Sequence, residues 1–254
     1  MNAGIHWGLD SVAPANTKVS GGSTYYEYVC KQLSRIYQDK KIHTDVDQKP
    51  AFWGRYIGGR ALSLTNDEID FLLIRRCRIF LIYRGIISQS SVKGDRRTGN
   101  YNAKAAINAG LNLVNSNERA SVYIYANIEG IWTVSKDWIL GWWDAMWDSP
   151  FGGVGGFYCN TTLDRAFNNA YCDARKEYPI ERTKQCYLFV QQLSNQINDP
   201  TFRNFRPKEP VCHSGSAVLW QYKTNCLACG NIASADMVLS NSAGFEAMIK
   251  TQNT

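Results

Sequence analysis

Three acidic residues far apart in the chain, Asp10, Glu129 and Asp236, each lie near an end of a short run rich in β-branched and aromatic residues. Alternate side chains of a strand face the same way. Over 5–10 this groups His6, Gly8 and Asp10 on one face and Trp7 and Leu9 on the other. Over 122–129 it groups Tyr123, Tyr125, Asn127 and Glu129 against Val122, Ile124, Ala126 and Ile128. Carboxyl groups gathered at strand ends among aromatic rings suit cleavage of a glycosidic bond. One protonates the leaving oxygen while the others stabilise positive charge at the sugar carbon. Crowding and burial raise the pKa of one member until it serves as an acid near neutrality. A strand-end acid standing alone has a plainer use, capping a helix or pairing with an arginine. Convergence of all three distinguishes the two uses.

Other chemistries find less support. With only His6, His43 and His213 in the chain, a Ser-His or Cys-His nucleophile has few bases to draw on. No phosphate-cradling GxxxxGK occurs, and Gly152-Gly153-Val154-Gly155-Gly156 lacks full dinucleotide spacing. Cys226-Leu227-Ala228-Cys229, with Cys212 and His213 upstream, has the spacing of half a zinc site. The second CxxC or His pair of a structural zinc module is missing, so a disulfide that pins a loop is the preferred reading, with no metal and no cofactor expected. Arg75-Arg76-Cys77-Arg78 and Arg96-Arg97 read as helix-end and loop charges rather than a nucleic-acid surface.

Positioning acids from both ends of the chain on one rim requires a repeating scaffold. Short apolar runs alternate with helical stretches throughout, the pattern of a βα-repeating fold. Strands are predicted at 5–10, 52–57, 79–83, 122–127, 155–158, 187–191, 217–221 and 235–239. Eight strands imply a closed α/β barrel of the TIM type, with chemistry at the C-terminal ends of its strands. Thr65-Asn66-Asp67-Glu68 reads as a capping box, in which Glu68 reaches back to the Thr65 backbone. A helix over 101–114 carries Ala103, Ala106, Ile107, Gly110, Leu111 and Val114 on one stripe, and a similar stripe runs from Leu163 to Ala174. Trp138, Trp142, Trp143 and Trp147 invite comparison with a sugar-stacking platform, but their helical spacing is that of core packing.

The 254 residues are 44% hydrophobic, 20% charged and 13% aromatic, which excludes a disordered or collagen-like chain and is ample for one sizeable core. No linker-like segment divides the chain, so residues 1–254 are read as one domain. The most apolar stretch, around 71–87, is interrupted by Arg75, Arg76, Arg78 and Arg84, leaving no membrane span. Strand-like sequence from Ile5 leaves no room for a secretory signal within the chain as given. Lys and Arg number 28 against 22 Asp and Glu, and the resulting net charge of +6 mildly favours anionic partners.

The sequence resembles the glycoside-hydrolase-like family known as domain of unknown function 1906, a relative of the glycoside hydrolase family 25 lysozymes, over nearly its whole length. The carriers are Gly8-Leu9-Asp10-Ser11, the segments 54–59, 64–68, 79–83, 99–103 and 122–129, then Gly156-Phe157-Tyr158, Leu219-Trp220-Gln221-Tyr222 and 235–239. The resemblance implies a barrel with an acidic rim that acts on, or binds, N-acetylated amino-sugar polymers such as peptidoglycan, outside the cell or at its surface. By the same resemblance Glu129 is the general acid/base of a muramidase-like retaining glycosidase, with Asp10 and Asp236 as electrostatic supports. Trp220, Gln221 and Tyr222 match the segment lining the substrate groove, and Arg55, Tyr56, Tyr83, Tyr125, Tyr158 and Gln191 complete the candidate binding set. At one position the chain departs from the lysozymes: they carry Asp two residues before the fourth-strand acid, where this chain has Asn127. An Asn amide can hold an acetamido group while the sugar's own N-acetyl oxygen attacks, although it stabilises charge less than a carboxylate does. The alternatives are a barrel that binds wall glycan without turnover and one with a structural role. Oligomeric state is left open.

Overall fold

A computed structural model describes residues 4–19, 21–39, 49–59, 62–86, 88–117, 119–128, 132–153, 155–161, 165–183, 186–193, 204–229 and 233–250. Eight strands close into a barrel in chain order: β1 (His6–Asp10), β2 (Phe52–Ile57), β3 (Arg78–Tyr83), β4 (Ile124–Asn127), β5 (Gly156–Cys159), β6 (Leu188–Gln191), β7 (Ala217–Cys229) and β8 (Ala233–Ser240). The helices are α1 (Tyr25–Asp39), α2 (Asn66–Ile74), α3 (Gln89–Val92), α4 (Arg96–Leu111), α5 (Lys136–Trp147), α6 (Arg165–Glu177), α7 (Ile180–Thr183) and α8 (Ser242–Glu246). The expected α/β barrel is therefore present, with one departure from a regular βα repeat. β1 to β7 run parallel, whereas β8 is antiparallel to both β7 and β1. Only three residues separate Cys229 from Ala233, too few for the crossover of a dozen or more that a parallel pair requires.

The pleat sorts side chains into two cores. Trp53, Ile79, Leu81, Ile124, Phe157, Leu188 and Val190 belong to the outer core between sheet and helices, while Phe52, Phe80, Tyr125, Tyr158, Phe189 and Val238 fill the barrel. Inside, Phe80 meets Phe189 edge-on at 5.2 Å and Tyr125 at 6.2 Å between ring centroids. Rings of this size cross the axis only because inward positions on neighbouring strands carry no side chain. A Cβ on Gly54 would lie 2.2 Å from the Phe80 ring, and one on Gly8 would lie 2.5 Å from the Phe52 ring. Truncating such a ring to Ala costs about 3–5 kcal/mol.

Outside, α5 buries Trp138, Trp142 and Trp143, as its helical spacing predicts, and leaves Trp147 half-exposed beneath Arg182. α4 and α5 touch backbone to backbone: a Cβ on Gly99 would meet Trp138 O at 2.0 Å, and one on Gly141 would meet Arg96 O at 1.9 Å. α4 begins at Arg96 rather than at 101, because the Asp95 carboxylate accepts the Thr98 N–H and caps it. Thr65 caps α2 as expected by accepting the Glu68 N–H. The reciprocal arm of that box is not made. The Glu68 carboxylate instead takes the Arg55 guanidinium and the Ala15 N–H, both at 2.7 Å. A fully buried charge is better stabilised by an ion pair than by one more amide.

Cys172 and Cys212 form a disulfide between α6 and the segment before β7. A disulfide is present as expected, but Cys226 and Cys229, the motif that prompted it, remain free thiols, and the bond withdraws Cys212 from any zinc set with His213, Cys226 and Cys229. His213 stays neutral beside it: Arg175 and Tyr171 both approach Nδ1, and burial with the Arg175 charge pushes its pKa down to about 4. No described helix is long and apolar enough to cross a membrane.

Candidate active site

The acids at the two ends of the chain meet through strand pairing. Asp10 is the last residue of β1 and stands opposite Asp236 of β8 in the antiparallel register. Cα atoms of such opposed residues lie about 4.5–5.5 Å apart, with side chains on the same face. Because β8 runs backwards, Asp236, near its start, reaches the same rim as Asp10 at the end of β1. Asn127 closes β4 next to Tyr158 of β5. Asp10, Asn127, Tyr158 and Gln221 are buried, and Tyr56, Gln191 and Asp236 are half-buried, so polar groups form the floor of this rim and its edge is partly open.

A chain of hydrogen bonds joins four of these side chains. Gln191 Nε2 donates to Tyr158 Oη at 2.8 Å, and Tyr158 Oη donates to Gln221 Oε1 at 2.7 Å. Gln221 Nε2 then donates to Asp236 Oδ2, while the Asn225 N–H donates to Oδ1 at 2.8 Å. Each amide and hydroxyl is oriented by the next, so Asp236 is held in one rotamer. Burial raises its pKa to about 6, against the lowering effect of the Asn225 N–H. It therefore titrates near neutrality and can lend or take a proton there.

The Asn225 donor comes from the irregular half of β7, a feature the sequence reading missed by ending that strand at residue 221. The ladder with β8 shifts register repeatedly, and Asn225 and Leu227 adopt positive φ of 52° and 53°. These bulges turn the strand so that a main-chain N–H faces Asp236. Arg84, just past β3, was also missed. It is exposed and lies over the partly exposed Tyr56 ring at 5.6 Å, placing a cation and an aromatic face together at the edge.

Other expected binding residues lie elsewhere. Arg55 is fully buried on the helix side of β2, where it pairs with Glu68 and donates to the carbonyl oxygens of Ser11, Val12 and Leu62. It organises the loops after β1 and β2 and, with no exposed surface, presents nothing to a ligand. Tyr83 packs on Trp142 in the outer core. Trp220 and Tyr222 also face outward, bonded to Gln192 O and to the Trp7 indole, respectively. Strand parity explains this: if Gln221 faces the axis, its two neighbours cannot. Tyr125 does face inward, but it is wholly buried among Phe80 and Phe189, below the polar layer. Glu129 lies outside the described residues, as do His43 and Leu163.

No protein-family model and no curated protein matches the sequence. Solved structures do match its fold. An uncharacterized B. stearothermophilus protein superposes with a TM-score of 0.70 at 20% identity, over 96% of this chain and 100% of that one. The Mycobacterium tuberculosis Tat-secreted protein Rv2525c, in complex with L-tartrate, gives 0.52 at 13% identity over 92% and 94% of the two chains. The Clostridium perfringens spore cortex lytic enzyme SleM gives 0.52 at 12% identity, covering 95% of this chain and 69% of that one. At these identities the likeness is one of fold.

Proposed function

We propose that the protein is a glycosidase acting on N-acetylated amino-sugar polymers of the cell wall, with Glu129 as general acid/base and Asp10, Asn127 and Asp236 around the reacting sugar. One observation carries this reading: Asp10 and Asp236 are cross-strand partners on one rim, joined there by Asn127 and the Tyr158–Gln221–Asp236 chain. Its fold is shared with a spore cortex lytic enzyme and with a Tat-secreted protein, and its disulfide suits an oxidising compartment outside the cytosol.

In this scheme Glu129 protonates the glycosidic oxygen as the bond to the sugar carbon breaks. The substrate's N-acetyl oxygen attacks that carbon, its amide turned by Asn127. Water then opens the resulting ring, with Glu129 taking the proton back. Asp10 and Asp236 offset the positive charge that develops on the ring, and Tyr56 with Arg84 offers a sugar-stacking face at the edge. The test is release of reducing ends from purified peptidoglycan and from chitin oligomers, comparing the unaltered protein with Glu129→Gln. Release by the former and not by the latter is expected. Asn127, where the lysozymes have Asp, favours a second reading in which the barrel binds glycan and does not cleave it. Equal binding by both proteins with no release by either establishes that reading and removes the first.

A further inference from the structure

The opposite mouth of the barrel, at the N-terminal ends of the strands, carries a feature that glycan chemistry does not use. A cavity of about 630 Å³ opens there, within the range of small-ligand sites. Its walls include Lys49, from the segment entering β2, and Arg75 and Arg76, from the end of α2, together with Ile74, His6 and Phe245. Three cations thus face one concavity, and no carboxylate lines it among the described residues.

The cations differ in how far they are committed. Arg75 donates to Phe71 O, lies over the Phe71 ring and stands 3.9 Å from Glu27. Lys49 and Arg76 are exposed, and their side chains make no hydrogen bond or ion pair among the described residues. Arg76 also holds a φ of +58° just past the end of α2, a position where glycine is the usual residue. A long cation is thus kept, at a conformational cost, where it lines the cavity.

We propose that this cavity is a binding site for a compact phosphate-type anion. Planar guanidinium forks match phosphate oxygens, and a lysine adds a point charge, which together suit a dense, multiply charged group. A nucleic-acid strand fits less well. Its bases need open aromatic faces, yet His6 stacks on Phe245 at 3.6 Å and Arg78 lies over the same ring at 4.0 Å. The site stands apart from the glycosidase reading, because it lies on the other face and calls for no turnover.

The test is calorimetric titration of the full chain with inorganic phosphate at low ionic strength, then with glycerol 1-phosphate and with a single-stranded oligonucleotide. One saturable phosphate site is expected, weakened about tenfold by Lys49→Gln or Arg76→Gln and left unchanged by Lys104→Gln on the exposed side of α4. Glycerol 1-phosphate binding tighter than phosphate marks a phosphorylated small molecule as the ligand, and equal affinity marks the free ion. Absence of saturation, or equal weakening by Lys104→Gln, overturns the site. An oligonucleotide that displaces phosphate at lower concentration overturns the ligand class. Unchanged thermal unfolding of the variants confirms that the loss is one of binding.

Discussion

The two mouths of the barrel solve opposite problems with charge. At the C-terminal mouth the acids are few and withdrawn: Asp10 is buried, and both oxygens of Asp236 are held by donors from β7, while Arg84 places an exposed cation only at the edge. At the N-terminal mouth the charges are positive and at the surface, with Lys49 and Arg76 exposed around a cavity. Withdrawal raises the cost of ionisation and makes an acid titrate where it is chemically useful. Exposure keeps a cation permanently charged and favours capture of an ion from solution. Catalysis and anion capture therefore call for different surroundings, and a barrel has two ends on which to build them.

The sharpest way to break this contrast is at the upper mouth. Glu129→Gln is expected to lower reducing-end release at least 10³-fold, at the strong end of the range for a lost general acid, with glycan retention on a column unaltered. Next is the scaffold beneath it. Glu68→Ala strands the Arg55 charge in the interior and is expected to cost about 3–5 kcal/mol in urea denaturation. Replacing both partners by Met and Leu should recover much of that loss.

The pH dependence is smaller and has two opposed parts. Asp236 has a folded pKa near 6, above the usual carboxylate value, so its contribution to stability falls as pH rises from about 4 to 6. His213 has a folded pKa near 4, below the usual imidazole value, so its contribution rises over about pH 4 to 6.5. The two opposed slopes partly cancel, flattening the profile of the unaltered protein between about pH 4 and 6. Asp236→Asn should unmask the His213 slope, with denaturation midpoints climbing between pH 4.5 and 7. A profile that stays flat in this variant rules out the withdrawn acid. The smallest effect is expected at the lower mouth, where Lys49→Gln and Arg76→Gln should alter unfolding free energy by less than about 0.5 kcal/mol while changing phosphate binding.

Much of the barrel was legible because strand alternation is a local signal. Every expected strand overlaps an observed one, and the axis-facing set His6, Gly8 and Asp10 follows from parity alone. Parity also argues against Arg55, Trp220 and Tyr222 as ligand contacts, since Gly54, Tyr56 and Gln221 must then face the axis. A resemblance by segment carried all residues of a motif together and hid that distinction. The second half of β7 was not legible, because its bulges break the alternation by which strands are recognised. The Glu68–Arg55 pair was missed for another reason: a capping-box pattern over 65–68 gives Glu68 a local partner, and nothing nearby in sequence announces a stronger one across the fold.

What the amino-acid order determined by itself is the alternation of strands and helices, the count of eight strands and the face on which most side chains lie, all set by backbone sterics over a few residues. What only the tertiary structure decided is which distant groups share a rim. Asp236 sits beside Asp10 because the β7–β8 connection is too short to cross over, which reverses β8 and carries its early residues to the C-terminal mouth. The environment that tunes that acid, burial and the donors of Gln221 and Asn225, likewise arises only when the barrel closes, since desolvation and cross-strand hydrogen bonds belong to the assembled sheet.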